Sequence, residues 1–188
     1  MPIKIYIDQG HNPENPNAGA EGNGLREQDI TYEIGRRLAA LLNANPNFEA
    51  RVSRPSPTTQ LGDSTAGSLS ARVNDANSWG ANYFISLHTN AADAPTANGS
   101  EAYVFSRAGE AYPFAENILT YLSYATGIRV RGVFPRPGLY VLRKTRMPAT
   151  LVELGFITNP SEAARMATDP QSFAQGIYNG ILAYFGLL

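Results

Sequence analysis

Apolar residues along this chain recur at two periods, and the switches between them mark out its elements. Ile3, Ile5 and Ile7 alternate with Lys4, Tyr6 and Asp8, a two-residue repeat that predicts a strand over Ile3–Asp8 running into the turn-forming Gln9-Gly10-His11-Asn12-Pro13. A loop from Asn12 to Gly24, rich in Asn, Gly and Pro, precedes Ile30, Ile34, Leu38, Leu41 and Leu42 at helical spacing, which predicts an amphipathic helix. Phe48–Ser53 reads as a second, shorter strand, and Arg54–Gly67 as a long loop of Pro, Ser, Thr and Gly, a length that in compact domains accompanies function or mobility. Leu69, Val73 and Ala76 predict a short helix over Ser68–Trp79, with Ser68 as its N-cap. Tyr83–His88 is apolar enough on both faces to be a central strand of a parallel sheet.

Beyond the polar loop Thr89–Asn98, Ser100–Phe105 reads as a strand and Glu110–Ala125 as a helix stopped by Thr126-Gly127. Arg129–Gly138 reads as a loop containing Arg, Gly and Pro, Leu139–Leu142 as a brief strand, and Met147-Pro148 as the entry to the strand containing Leu151 to Phe156. Asp169-Pro170 then starts a closing helix in which Phe173, Ile177, Ile181, Leu182 and Phe185 form an apolar stripe. Strands alternating with helices predict one α/β domain spanning residues 1–188, a twisted, mostly parallel open sheet with helices on both faces. Such sheets bind ligands in the crevice outside the carboxyl ends of their strands.

Composition narrows the chemistry. A net charge of −1 with 15 scattered Lys and Arg gives no electrostatic footprint for nucleic acid or an anionic membrane, and no apolar run reaches membrane-spanning length. Neither partner is expected, and the chain is expected to act as a monomer. Met1-Pro2 leads straight into the first strand, so no export signal is expected in this chain. With no cysteine, thiolate nucleophiles and thiolate-bound metals are excluded, and a metal site has to be built from His, Asp and Glu.

The only two histidines, His11 and His88, both close predicted strands, and Glu153 places a carboxylate in the apolar run Leu151-Val152-Glu153-Leu154-Gly155-Phe156. Carboxylates are rarely buried unless they pair, bind metal or do chemistry. Glu27 lies seven residues before Ile34 and eleven before Leu38, on the inward stripe if the helix already includes it; a first-turn glutamate favoured by the helix dipole is the plainer reading. Two imidazoles and one carboxylate make a three-ligand zinc site that keeps a position open for water, with a second carboxylate free to act as base. That division assigns His11, Glu27 and His88 to the metal and Glu153 to proton transfer. No G-x-S-x-G and no phosphate-binding glycine loop competes.

These residues also carry a resemblance. Ile7-Asp8-Gln9-Gly10-His11 with Gly19-Ala20, then Gly24-Leu25-Arg26-Glu27-Gln28-Asp29, Ile85-Ser86-Leu87-His88-Thr89-Asn90-Ala91, Tyr140-Val141-Leu142-Arg143 with Met147-Pro148, and Val152-Glu153-Leu154-Gly155-Phe156 with Asn159-Pro160 resemble the zinc-dependent N-acetylmuramoyl-L-alanine amidases. The resemblance implies one Zn2+ held by His11, Glu27 and His88, Glu153 as the catalytic glutamate, and peptidoglycan of the bacterial cell wall as substrate. Where that family usually has Pro after the first Asp and Gly after the first His, this chain has Gln9 and Asn12-Pro13, which puts only the loop's conformation in question. Some relatives plug the metal with an inserted helix; here Ala91 to Gly127 is used up by one loop, one strand and one helix, so an open site is expected. A carboxypeptidase-type zinc peptidase and a non-catalytic peptidoglycan-binding domain are the competing readings.

Several residues admit both a functional and a plain reading. Asp8 either supports a histidine ligand through its second nitrogen or forms a turn. Asn90, Arg129 and Arg131 either contact the glycopeptide and its carboxylates or sit in an ordinary polar loop, and Arg72 reads as a solvated or packing arginine.

Overall fold

In the computed structural model, which describes residues 1–188, the chain runs through β1 (Ile3–Gln9), β2 (Glu21–Gly22), β3 (Leu25–Arg26), α1 (Glu27–Asn43), β4 (Phe48–Val52), α2 (Thr65–Trp79), β5 (Tyr83–Asn90), β6 (Ser100–Val104), α3 (Ala111–Thr126), β7 (Val130–Pro135), α4 (Tyr140–Lys144), β8 (Ala149–Phe156), α5 (Pro160–Thr168) and α6 (Pro170–Tyr184). Six strands form one sheet in the order β4-β1-β5-β8-β6-β7. Strands β4, β1, β5 and β8 are parallel, and β6 and β7 run against them. The sheet is thus mostly parallel and open, as the alternation of elements predicts. No helix is long and apolar enough to cross a membrane.

Successive side chains on a strand point to opposite faces, and this sorts the core into two clusters. Ile5, Ile7, Ile85, Leu87, Val152 and Leu154 pack beneath α1, α3 and α6, against Ile34, Leu38, Ile118, Phe173 and Ile177. Tyr6, Phe84 and Leu151 face the other way, toward Val73 and Ala76 of α2 and Val141 and Leu142 of α4. Asp8, Ser86, His88 and Glu153 share the parity of this second set, so they rise from the α2/α4 face at the carboxyl end of the parallel strands.

Four local readings need correction. Val130–Pro135, expected as loop, is the edge strand β7; an edge position pairs on one side only and so tolerates Pro135 and an exposed polar face. Leu139–Leu142, expected as a strand, leads into the helix α4. A short apolar run fits either element, and burial of the adjacent Val141 and Leu142 is helical rather than alternating. Pro160–Thr168, absent from the expected elements, forms the helix α5, with Asn159 Oδ1 accepting from Ser161 N and Glu162 N. Helix α2 begins at Thr65 under a Ser64 cap that accepts from Gly67 N, which leaves Ser68 buried inside it.

Close packing of α6 on α3 depends on Gly180. A Cβ there would lie 2.6 Å from Ile118 Cα and 2.7 Å from Asn117 O, backbone atoms that move only with their helix. Alanine in an exposed helix position stabilises by about 1 kcal/mol over glycine, whereas forced overpacking costs about 1–3 kcal/mol. Gly180→Ala is therefore expected to lower the urea unfolding midpoint; a raised midpoint contradicts the packing described.

Candidate active site

Site geometry starts from how β1 ends. Gly10 N donates to Leu87 O at 2.9 Å, and a Cβ on Gly10 would fall 2.6 Å from His88 Cε1, so only glycine lets β1 close on the His88 ring. His11 follows with φ at 68°, the left-handed region that costs a non-glycine residue energy and persists only where surroundings hold it. What holds it is Arg72 of α2. This guanidinium is 1% exposed; its Nη1 donates to Asp8 Oδ1 and Gln9 O, both at 2.6 Å, and its Nη2 donates to His11 O at 2.5 Å and Asn12 Oδ1 at 3.3 Å. Asn12 is itself buried, donating to Pro16 O and Leu61 O and accepting from Leu61 N.

Glu27 is the first residue of α1, so the helix-terminus reading and the inward-facing reading both hold for it. Its Oε2 lies 3.2 Å from His11 Nε2, and its Oε1 lies 3.1 Å from His88 Nδ1. Backbone amides of Ala20 and Thr89 donate to the two oxygens at 3.0 and 2.9 Å. Burial raises the Glu27 carboxyl, but hydrogen bonds and charge from His11 and His88 outweigh it and hold the group well below the usual carboxylate range. One ligand atom from each of His11, Glu27 and His88 falls within 4.8 Å of the others.

His11 Nε2 and His88 Nδ1 approach different oxygens of Glu27, at 3.2 and 3.1 Å, separations comparable to those of about 3.3–3.4 Å between ligand atoms of a tetrahedral ion with bonds of about 2.0–2.1 Å. Three of the four buried polar atoms that lack a hydrogen-bond partner, His11 Nδ1, Thr89 Oγ1 and Glu153 Oε2, belong to this site. Buried polar groups are otherwise almost always paired. A divalent cation therefore fits this donor set. His11 and His88 side chains keep 22% and 19% of their surface, and residues 91–99 between β5 and β6 contain no helix, so the site is open to solvent.

Glu153 stands directly opposite His88 across the β5–β8 pair and opposite Glu101 across β6–β8. Burial, then the charges of Glu27 and Glu101, push its carboxyl up to about 8; a cation on the three ligands would draw it down again. The strand runs on past Glu153 to Phe156, as the apolar run predicts. Asp8, for its part, neither supports a histidine nor forms a turn: it pairs with Arg72 and accepts from Ser86 Oγ at 2.7 Å. Asn90 donates to Glu101 at 2.9 Å, Arg131 pairs with Glu101 at 2.6 Å, and Arg129 donates to Asn98 Oδ1 at 2.5 Å. Arg72 and Glu101 have no local signal in the sequence, because each acts through contacts made only when distant segments meet.

A family model described as N-acetylmuramoyl-L-alanine amidase matches residues 5–183. The chain belongs to this family. N-acetylmuramoyl-L-alanine amidase LytC of Bacillus subtilis (strain 168) is 37% identical to it over 185 residues, which is 96% of this chain and 35% of LytC. N-acetylmuramoyl-L-alanine amidase CwlM of Bacillus licheniformis is 35% identical over 189 residues, covering 98% of this chain and 70% of CwlM. This amidase-family chain thus spans about a third of LytC and about two thirds of CwlM. The solved catalytic domain of the amidase CwlV, from Bacillus (Paenibacillus) polymyxa var. colistinus, superposes with a TM-score of 0.86 at 30% identity over 99% of each chain.

In this amidase fold Arg72 makes a testable keystone. Burial alone would raise the Asp8 carboxyl, yet the Arg72 charge and the hydrogen bonds from Ser86 and Arg72 bring it below its ordinary value. Its stabilising contribution is therefore present above the unfolded-state pKa of about 3.9 and is lost as pH falls through the folded value. Arg72→Leu, which leaves Asp8 buried without a counterion, is expected to cost about 3–5 kcal/mol at pH 7, to cost less near pH 3, and to weaken metal binding. Urea unfolding at the two pH values, with zinc titration, checks this; equal losses at both pH values contradict it.

Proposed function

We propose that this domain hydrolyses the amide joining the lactyl group of N-acetylmuramic acid to the L-alanine that begins the peptidoglycan stem peptide, with one Zn2+ on His11, Glu27 and His88 and with Glu153 as general base and acid. The observation that carries the reading is the unpaired carboxylate of Glu153 held beside a three-residue donor set in a chain of the amidase family. When bound, the ion supplies Lewis-acid polarisation of the scissile carbonyl and lowers the pKa of water to about 7. Glu153 takes the proton of the attacking water as its oxygen adds to the carbonyl carbon. It then delivers that proton to the alanine nitrogen as the C–N bond breaks, so the carboxylate is regenerated.

Other residues support these steps. Ala20 N and Thr89 N fix the Glu27 carboxylate, and Arg72 fixes the His11 backbone, so neither ligand has to be ordered on binding. Arg129 and Arg131 lie on the β7 side of Glu153 and are exposed, and Asn90 at the end of β5 reaches toward the same side, donating to Glu101; we assign all three to the stem peptide, whose carboxylates suit guanidinium. All four central residues come from one chain, which supports action as a monomer on the cell wall.

Digestion of purified cell walls tests the reading. New amino-terminal alanine is expected, lost on chelation and restored by zinc, and reduced about 10²–10⁴-fold by Glu153→Gln with one zinc per chain retained. Other new amino termini would indicate a peptidase, and none a binding domain. Alanine release undiminished by chelation or by Glu153→Gln contradicts the mechanism.

A further inference from the structure

On the side of Glu153 away from His88, β6 brings up a second carboxylate. Glu101 and Glu153 are paired directly across the antiparallel β6–β8 ladder, so their side chains leave the same face with Cβ atoms about 4.5–5.5 Å apart. Like charges so placed repel. Glu101 is 6% exposed and fully engaged: Oε1 accepts from Asn90 Nδ2 at 2.9 Å and from the Tyr103 hydroxyl at 2.5 Å, and Oε2 accepts from Arg131 Nε at 2.6 Å. Arg131 is held further by Nη1 donating to Asn98 O at 3.2 Å and by its guanidinium lying 5.3 Å over the Phe156 ring. The Tyr103 hydroxyl is pushed up by burial and then by Glu101, as befits a phenol donating to an ionised carboxylate. Glu153, one strand away, has a buried Oε2 with no donor at all.

The asymmetry between these neighbouring carboxylates is the point. One takes every local donor, and the other is left with none on its buried oxygen. We propose that Glu101 is a positioning residue for Glu153: it holds the Asn90 amide and the Arg131 guanidinium on its own oxygens, so that neither donates to Glu153 and the proton-transfer carboxylate stays unpaired. An arginine moved onto Glu153 would form a charge-assisted pair, which weakens the carboxylate as a base and turns it from the substrate. The inference rests on Glu153 being the group that moves the proton.

Kinetics on a soluble N-acetylmuramoyl-peptide, with the zinc-loaded protein, tests it. Glu101→Gln removes the charge that pairs with Arg131 and leaves one neutral acceptor oxygen for the three donors now on Glu101, which loosens the hold on the guanidinium. Its kcat is expected to fall about tenfold or more with KM within about twofold and one zinc per chain retained. Adding Arg131→Leu to Glu101→Gln removes the released guanidinium and is expected to raise kcat, at saturating substrate, at least about threefold over Glu101→Gln, while KM rises because the Arg131 contact to the stem peptide is lost. Should Glu101→Gln fail to fold, Glu101→Asp, which keeps the charge but shortens the reach, enters the same comparison with and without Arg131→Leu. An unchanged kcat in the single variant, or a double variant no faster than the single, overturns the proposal and makes Glu101 a purely structural residue. A wild-type protein that frees no alanine from this substrate overturns the amidase reading itself, so the two failures are distinguishable.

Discussion

Arg72 and Asp8 form an ion pair with side chains 1% and 2% exposed, 64 positions apart in the chain, and the site depends on it. Removing two charges from water is expensive, and their attraction offsets that cost only when the remaining donors and acceptors are also satisfied. Here they are, because the guanidinium places its other hydrogens on Gln9 O, His11 O, Asn12 Oδ1 and Ser68 Oγ and Asp8 takes its second bond from Ser86. The pair therefore ties α2 to β1 and β5 while fixing the backbone that places His11 in a left-handed conformation. The strain at His11 is offset by the buried network behind it.

The central carboxylates differ through their surroundings, not their chemistry. Glu27 receives two backbone amides and faces two imidazoles, so its charged form is favoured. Glu153 receives no donor on its buried oxygen and faces the charges of Glu27 and Glu101, so its charged form is disfavoured. A group held ionised suits a metal ligand, and a group poised to gain and lose a proton suits a general base. Environment thus gives two residues of one type opposite preferences for charge, as the proposed division into metal ligand and general base requires.

Much of this architecture was legible in the sequence because it follows periodicity. Ile3 to Ile7, the helical stripe from Ile30 to Leu42 and the apolar Tyr83–Leu87 each commit to one element, and together they predict a mostly parallel sheet with His11, His88 and Glu153 at the ends of its strands and Glu27 on the helix after the first. What stayed hidden lacked a pattern or depended on distance. Strand β7 is an edge strand of Arg, Gly and Pro whose partner is β6, so nothing in its own residues alternates cleanly. Arg72 sits in a helix whose local sequence makes it an ordinary surface arginine; its burial follows from how α2 lies over the end of β1. Glu101 reads as one polar residue in a short strand, and acquires meaning only through its register against Glu153.

The central claim is the division of labour between Glu27 and Glu153, and a zinc-bound crystal structure measures it directly. The account predicts one zinc per chain bound by a nitrogen each of His11 and His88 and a Glu27 oxygen at about 2.0–2.2 Å, with both Glu153 oxygens beside the ion and off it. A Glu153 oxygen at bonding distance with Glu27 displaced, or zinc bound away from these three residues, would contradict it.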